Sequence, residues 1–287
     1  IFITRTSGFI GFHLARKLLD KGCRVLGYDG MTDYYDVSLK KSRLDILSSY
    51  PRFSFIQGML EDQEKFFRSV LDFAPGVLVH LAAQAGVRYS LENPHAYIQS
   101  NLVGTMNVLE AARQCDVGHL MMASTSSVYG ANREMPFTES QKTDTQLTIY
   151  ASTKKANESM SHAYSHLWKI PTTVFRFFTV YGPWGRPDMA LFKFVDAMLE
   201  DGSIDIYNRG NMYRDFTYID DLVTAITLLM DCIPKQPPDP ANEVEGDSLS
   251  HVAPWRVVNI GNSSKVQLMQ LIEAIESYLG TEAEKKF

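Results

Sequence analysis

The sequence predicts an α/β fold with a doubly wound parallel sheet and a second, smaller α/β domain. Short apolar runs alternate with amphipathic stretches of helical spacing along the first 177 residues, as they do in βαβ units. Parallel strands joined in this way require helices on both faces of the sheet. The chain has 287 residues, of which 45% are hydrophobic, and this is enough for one large core or two smaller ones.

Each element follows from its own pattern of apolar and polar residues. Short apolar runs predict strands, and longer stretches with apolar residues three or four positions apart predict helices. The predicted strands are Ile1–Thr4, Arg24–Tyr28, Phe53–Gln57, Val77–Leu81, His119–Ala123 and Thr172–Phe177. The predicted helices are Ile10–Asp20, Glu61–Asp72, Ser100–Gln114 and Tyr150–Trp168.

A change of character after the last of these strands predicts a domain boundary. The run Gly-Pro-Trp-Gly-Arg-Pro at residues 182–187 is typical of a loop. We therefore predict a larger domain over residues 1–176 and a smaller one over residues 177–287, with parts of residues 214–234 packing back on the larger domain. Residues 235–254 are polar and rich in proline, which predicts an exposed loop.

The composition argues against several classes of function. The formal net charge is −5, so no basic bias indicates a nucleic-acid partner. Three widely spaced cysteines, with no CxxC pair and no Cys/His cluster, favour a reducing compartment over disulfides or a metal site. No apolar run is long enough to cross a bilayer, and the first four residues are typical of a strand, not of a signal peptide. These observations predict a cytoplasmic protein without a membrane partner.

A glycine-containing turn between the first strand and the first helix predicts a dinucleotide site of the Rossmann type. Gly8 and Gly11 flank Phe9 and Ile10 where the helix begins, and glycines there let the backbone approach a pyrophosphate at the positive helix end. Asp29 follows about 20 residues later, at the end of the second strand. A carboxylate in that place binds the adenosine ribose and repels a 2′-phosphate, which favours NAD over NADP.

One residue departs from this glycine pattern. Arg5 stands where the first glycine of the GxxGxxG fingerprint usually makes a tight turn. A non-glycine residue held at positive φ costs roughly 1–2 kcal/mol, which corresponds to about one decade of cofactor affinity. The Arg5 side chain could fill the pocket or could pair with a phosphate, and the sequence leaves both possibilities open.

A tyrosine and a lysine four residues apart form the predicted catalytic pair. Tyr150 and Lys154 share one face of a predicted helix. A tyrosine that acts as a base near pH 7 needs its pKa lowered from about 10, and a cation at ~4 Å supplies an effect of that size. The apolar strand at 119–123 runs into hydroxyl residues, of which Thr125 is the predicted partner of Tyr150, because parallel sheets bind ligands at the carboxyl ends of their strands.

Taken together, these segments resemble the extended short-chain dehydrogenase/reductase family over nearly the whole chain. Further segments that carry the resemblance are His80–Ala83, Asn101 with Gly104-Thr105, residues 176–183 and residues 214–221. Within the family the sequence most resembles UDP-glucuronate 4-epimerases, through residues 33–40, 82–94 and 184–194. The resemblance implies that the tyrosine removes the proton of the sugar's 4-hydroxyl, that hydride passes to NAD, and that the 4-keto sugar turns over before hydride returns.

The resemblance also implies roles for individual residues. Residues 1–176 would bind NAD and residues 177–287 would bind the UDP-sugar, and the helices Asn101–Gln114 and Tyr150–Trp168 would form a homodimer interface. The implied catalytic residues are Thr125, Tyr150 and Lys154, and the implied cofactor contacts are Gly8, Phe9, Ile10, Gly11, Asp29, Leu60, Leu81, Ala82, Ala83, Asn101, Tyr150 and Lys154. The implied substrate contacts are Val87, Arg88, Ser126, Ser127, Thr179, Arg186, Tyr207 and Arg214.

Local departures from relatives separate the alternatives. Relatives that decarboxylate or dehydrate nucleotide sugars carry an acidic residue after the catalytic Ser/Thr, whereas Ser126 and Ser127 follow Thr125 here, which favours epimerisation. Another nucleotide-sugar epimerase, a UDP-glucuronate decarboxylase and an NAD-binding protein with an impaired site remain as alternatives. Arg5 and Met59 favour the last, since Met59 replaces an aspartate that contacts adenine in relatives. The family's substrate domain is also expected to continue beyond Phe287.

Overall fold

The computed structural model describes residues 1–200, 202–235 and 244–287. The strands are β1 (Phe2–Thr4), β2 (Val25–Asp29), β3 (Phe53–Gln57), β4 (Val77–His80), β5 (His119–Thr125), β6 (Thr172–Phe177), β7 (Thr179–Tyr181), β8 (Ser203–Asp205), β9 (Tyr213–Tyr218), β10 (Trp255–Ile260), β11 (Lys265–Gln267) and β12 (Glu284–Lys286). The α-helices are α1 (Phe9–Asp20), α2 (Val37–Ser48), α3 (Gln63–Phe73), α4 (Tyr89–Glu92), α5 (Pro94–Tyr97), α6 (Gly104–Gln114), α7 (Ile149–Trp168), α8 (Ala190–Leu199), α9 (Ile219–Asp231) and α10 (Leu268–Leu279).

Within the described residues, seven strands form one parallel sheet in the order β10-β6-β5-β4-β1-β2-β3. Strands β1, β2 and β3 therefore follow one another toward one edge of the sheet. The chain then returns to the middle, and β4, β5 and β6 follow one another toward the other edge. This is the doubly wound order of the Rossmann type, extended at one edge by β10, and it confirms the predicted fold class. The point where the direction reverses lies between β1 and β4, and ligands of such sheets bind at the carboxyl ends of the strands there.

Helices cover both faces of this sheet and define two apolar cores. On one face α1 and α9 pack against the sheet, and Phe12, Leu14 and Ile226 are fully buried there. On the other face α3, α6 and α7 pack, with Phe66 and Leu109 fully buried. The apolar stripes predicted from the sequence thus face the sheet from both sides, as parallel strands require.

The smaller part of the described chain lies after β6. It contains a three-stranded sheet of β11, β9 and β7, and a pair formed by β8 and β12. Its own apolar cluster joins α8 and α10 through buried residues such as Phe194, Met198, Ile204, Ile272 and Ile275.

One segment of the predicted smaller domain forms a strand of the large sheet. Strand β10 falls within residues 177–287, yet it pairs with β6 along its whole length, from Trp255 beside Thr172 to Ile260 beside Phe177. Its apolar run can be buried there because β6 would otherwise leave an open edge. Helix α9 also packs on α1. Two elements that follow residue 176, β10 and α9, therefore belong to the larger unit. Of the predicted loop at 235–254, residues 236–243 lie outside the described residues, and residues 244–254 contain no helix or strand.

No helix in the described part of the chain is both long and apolar enough to cross a membrane. Within the same residues, no group of three or more His, Cys, Asp and Glu side chains is arranged to hold a metal ion.

Candidate active site

The predicted site residues converge on the carboxyl ends of the central strands. The glycine turn follows β1, Asp29 ends β2, residues 81–83 follow β4, and Thr125 ends β5. Helix α7 crosses this edge and brings Tyr150 and Lys154 to it. The sheet topology therefore assembles residues that are up to 149 positions apart in the sequence.

The turn after β1 has the backbone of a phosphate cradle. The first hydrogen bond inside α1 runs from the amide of Phe12 to the carbonyl of Gly8, so the amides of Phe9, Ile10 and Gly11 point out of the helix N-terminus. A β-carbon on Gly11 would lie 2.2 Å from the Arg5 carbonyl oxygen. Gly11 is thus required for close packing of the helix on the turn, and the free amides suit an anion.

Asp29 anchors the adenosine end of this cradle. Its buried carboxylate accepts hydrogen bonds from the amides of Ser7 at 3.0 Å and Met31 at 2.9 Å, which leaves lone pairs for a ribose hydroxyl. A cleft lined by Gly30, Gly58 and Met59 opens beside it. A β-carbon at position 30 would lie 2.3 Å from the Met59 sulfur, so the Met59 side chain rests directly on Gly30. The thioether covers this cleft without the hydrogen bond that an aspartate would offer.

Arg5 lies inside the cradle. Its φ of 60° is in the left-handed region, which is the backbone expected at this turn. The guanidinium donates a hydrogen bond to the Ala83 carbonyl, across the crevice between β1 and β4. Burial, together with the neighbouring Arg186, lowers the pKa of Arg5.

Two polar side chains hold the segment that follows β4. Thr4 accepts hydrogen bonds through Oγ1 from the amides of Leu81 at 3.0 Å and Ala82 at 2.9 Å. Asn101 is fully buried; it accepts a bond from the Gln84 amide at 2.8 Å and donates one to Thr153 Oγ1 at 3.0 Å. Asn101 therefore connects this segment to α7 one residue before Lys154. Leu60, predicted to line the cofactor site, is buried behind them, in the core beneath α3 and α6.

Tyr150 lies partly buried at the first turn of α7, with the Thr125 hydroxyl near enough to act on its pKa. Burial raises the pKa of Tyr150, and the Thr125 hydroxyl and the guanidinium groups of Arg186 and Arg5 act in the opposite direction. The structure thus brings the predicted Thr125–Tyr150 pair together. The cations that act most strongly on the phenol are the two arginines.

Lys154 lies one helical turn further along and is almost completely buried. Its ammonium donates a hydrogen bond of 2.8 Å to the Ala123 carbonyl, which belongs to β5 two residues before Thr125. Burial, reinforced by the charge of Arg5 and opposed by Glu158, lowers the pKa of Lys154 to about 7. An ammonium of this pKa changes its charge within the pH range in which such a site works.

The hydroxyls after β5 form a short 3₁₀ turn over Ser126–Tyr129. Thr125 caps this turn, because its Oγ1 accepts a hydrogen bond from the Ser127 amide at 3.2 Å and donates one to Ser127 Oγ at 3.2 Å. Ser126 and Ser127 are both partly exposed toward the crevice. The turn presents short donors and no carboxylate next to Tyr150.

The Arg186 side chain is largely buried and ion-paired, unlike that of a solvated loop arginine. Its side chain is 18% exposed, and it forms a two-point ion pair with Asp188 through Nε at 3.0 Å and Nη2 at 2.5 Å. The guanidinium also lies 5.8 Å from the centre of the Tyr34 ring. Asp188 occupies one edge of the guanidinium, and the other edge keeps donors for a second carboxylate or a phosphate.

Sequence analysis missed Arg43, which connects the cofactor turn to the Arg186 loop. It is a fully buried arginine on α2, and it donates to the Ser7 carbonyl at 3.0 Å, to Tyr35 Oη at 2.8 Å and to the Trp184 carbonyl at 2.6 Å. One guanidinium thus fixes the turn at Ser7 and the loop at Trp184 relative to each other. No periodicity in the surrounding sequence DYYDVSLKKSR indicates that this arginine is buried. Its role is visible only from its position between the two loops.

The remaining predicted substrate residues lie on the smaller part of the chain and on the loop that faces it. The guanidinium of Arg88 lies 4.2 Å from the centre of the Tyr207 ring, so these two are brought together. Val87 and Tyr207 are exposed, and Thr179 begins β7. Arg214 is exposed and donates to the Tyr213 carbonyl at 2.8 Å, whereas the Asp215 carboxylate accepts two backbone amides from residues 262 and 263.

The comparisons with known proteins agree with one another. The model of the NAD dependent epimerase/dehydratase family matches residues 1–241. A probable UDP-glucuronate 4-epimerase of Rhizobium meliloti is 55% identical over 281 residues, which cover 98% of this chain and 82% of that protein. UDP-glucuronate 4-epimerase 6 of Arabidopsis thaliana is 42% identical over 99% of this chain and 61% of its own length. The crystal structure of UDP-glucuronic acid 4-epimerase from Bacillus cereus with UDP-glucuronic acid and NAD superposes with a TM-score of 0.85, at 31% identity, over 100% of this chain and 85% of that one.

Proposed function

The chain belongs to the NAD-dependent epimerase/dehydratase family, and on that premise we propose that it interconverts UDP-glucuronate and UDP-galacturonate by inverting carbon 4 of the sugar. The observation that carries the proposal is the placement of Tyr150. Its phenol lies near the Thr125 hydroxyl and Arg186, at the carboxyl ends of strands beside an NAD-type cradle. NAD bound in that cradle supplies the acceptor, and afterwards the donor, of the hydride at carbon 4.

Tyr150 is suited to move the proton of the 4-hydroxyl. It takes this proton while carbon 4 is oxidised and returns it when the opposite face of the ketone is reduced. Thr125 orients both the phenol and the sugar hydroxyl, because its Oγ1 can donate to one and accept from the other. Lys154 supplies positive charge one turn away, and its hydrogen bond to the Ala123 carbonyl ties that charge to the end of β5.

Arg186 and the two serines are suited to hold the sugar carboxylate. The oxidised intermediate is a β-keto acid, and it loses carbon dioxide when the carboxylate bond lines up with the carbonyl π system. A guanidinium already held by Asp188 fixes the carboxylate direction without giving it a proton. Ser126 and Ser127 add short donors and no acid. This arrangement supports epimerisation, with the carbon dioxide retained.

The first experiment follows the products. Purified protein is incubated with NAD and UDP-glucuronate, and with UDP-glucose in parallel as a matched substrate without the carboxylate. We expect UDP-galacturonate of unchanged mass from the first and at least tenfold slower conversion of the second, because the edge of the Arg186 guanidinium that Asp188 leaves open then has no carboxylate to bind. A product lighter by carbon dioxide would assign decarboxylation, and equal rates would remove the role of Arg186.

We also propose that two copies of this chain assemble through residues 101–114 and 150–168, in the reducing cytoplasm. Apolar side chains at Val103, Met106, Leu167 and Trp168 are between 40% and 63% exposed along these two segments, and a partner copy would cover them. We expect size-exclusion chromatography with light scattering to give twice the 32.4 kDa chain mass at micromolar concentration. A monomer at that concentration would contradict the assembly.

A further inference from the structure

Arg5 occupies the space that the second glycine of the cradle leaves open. A β-carbon built on Gly8 would lie 2.8 Å from Arg5 Cγ and 3.2 Å from Arg5 Nε, so the arginine stem runs directly over the Gly8 backbone. In dinucleotide sites this glycine is small so that the pyrophosphate can come close to the chain. The guanidinium then continues to the Ala83 carbonyl on the far side of the crevice.

We propose that the Arg5 side chain is a built-in competitor of NAD, which must swing away from Ala83 before the cofactor's pyrophosphate can reach Gly8. The inference rests on the proposed use of NAD at this site. It concerns the Arg5 side chain. It predicts that NAD binds weakly and exchanges with free NAD, instead of remaining bound to the protein.

Backbone strain at Arg5 is a separate matter from this competition. Its φ of 60° is already present in the cofactor-free protein, so the strain lowers folding stability, and a cofactor that leaves this φ unchanged does not add to it. What NAD has to overcome is the side chain and its hydrogen bond to Ala83.

The surroundings of the guanidinium hold it in place only weakly. Arg186 and Lys154 carry charge of the same sign, whereas the Asp29 carboxylate acts favourably on it. That carboxylate is already engaged by the amides of Ser7 and Met31. A side chain held by one carbonyl bond can be displaced by a ligand with two negative charges, and this is why we expect weakened binding and not its loss.

Three substitutions separate the two effects. Arg5→Ala removes the side chain and keeps a β-carbon at positive φ, and Arg5→Gly removes both side chain and strain. Arg16→Ala is the matched control, since it removes one exposed arginine charge from α1 at a site that faces Phe12, away from the cradle. Calorimetry on cofactor-free protein measures NAD affinity, and the same titration with UDP tests the proposed substrate half independently.

We expect Arg5→Ala and Arg5→Gly to bind NAD at least tenfold more tightly than the unchanged chain, with Arg16→Ala unchanged. We also expect Arg5→Gly to melt roughly 2 °C or more above Arg5→Ala, because only glycine relieves the strain. Unchanged or weaker NAD binding in both Arg5 variants would overturn the proposal and make Arg5 a bystander or a phosphate ligand. Tighter NAD binding without UDP binding or sugar conversion would leave this inference standing and refute the proposed function.

Discussion

Replacing Tyr150 by phenylalanine is expected to lower kcat for UDP-glucuronate epimerisation by 10²- to 10⁴-fold, the usual contribution of a positioned acid–base group. The substitution removes one oxygen and keeps the ring that packs edge-on against Tyr97, with centroids 6.0 Å apart. The neighbouring Ser127, which hydrogen-bonds to Thr125, cannot exchange a proton with the sugar in its place, since it is an alcohol with a far higher pKa. The loss is therefore one of chemistry and not of fold.

Tyr97→Phe is the matched control for this measurement. The Tyr97 hydroxyl also lies in the site, yet it donates to the backbone carbonyls of Ala85 and Gly86 and only holds their loop. We expect less than a tenfold change in kcat for Tyr97→Phe. NAD and UDP affinities measured by calorimetry should stay within a few-fold of the parent in both variants. A Tyr150→Phe enzyme that keeps a tenth of its kcat, or a Tyr97→Phe enzyme that loses as much, would remove Tyr150 from the proton step.

Local sequence patterns were sufficient to predict six of the seven strands that form the large sheet in the described residues. The strands at 53–57 and 172–177 have the predicted bounds, and most of the other predicted elements differ by one or two residues at an end. Each of these segments has a periodicity that its burial requires, so one stretch of sequence carries the whole signal. Strand β10 was not predicted, because its partner β6 lies about 80 residues earlier in the chain, and local sequence does not encode that pairing.

The candidate site likewise contains residues that local sequence patterns indicate and residues that they do not. Gly8, Gly11, Asp29, Tyr150 and Lys154 were found because each has a spacing that follows from the chemistry it serves. The role of Arg43 depends on which loops meet in space, because its partners Ser7 and Trp184 lie 36 and 141 residues away in the sequence. The direction taken by the Arg5 side chain was likewise left open by the sequence, and the structure directs it across the crevice to Ala83.

Replacing Arg176 by methionine is expected to lower the free energy of unfolding by about 3–5 kcal/mol, the cost of leaving a buried charge without its partner. Arg176 on β6 and Glu158 on α7 are 3% and 2% exposed, and they form a two-point pair at 2.9 and 2.8 Å. Ser124 Oγ donates to the same carboxylate at 2.6 Å, immediately before Thr125. The pair therefore fastens the helix that carries Tyr150 and Lys154 to the two strands beneath it.

Lys155→Met provides the control, measured by the same equilibrium urea denaturation. Lys155 approaches the same Glu158 carboxylate at 3.6 Å, but its side chain is 33% exposed, and solvent-screened pairs contribute roughly 0–1 kcal/mol. We also expect the double variant Glu158→Met with Arg176→Met to recover at least half of the stability that Arg176→Met loses, because no buried charge then remains.

The double variant shows whether an unpaired carboxylate causes the loss. Without Arg176, the buried Glu158 carboxylate keeps only Ser124 and the partly exposed Lys155 as partners. A double variant no more stable than Arg176→Met, or a loss in Arg176→Met no larger than that of Lys155→Met, would mean that packing at β6 holds α7 in place. In that case the position of the catalytic helix would depend on Asn101 and the apolar face of α7, and not on the buried ion pair.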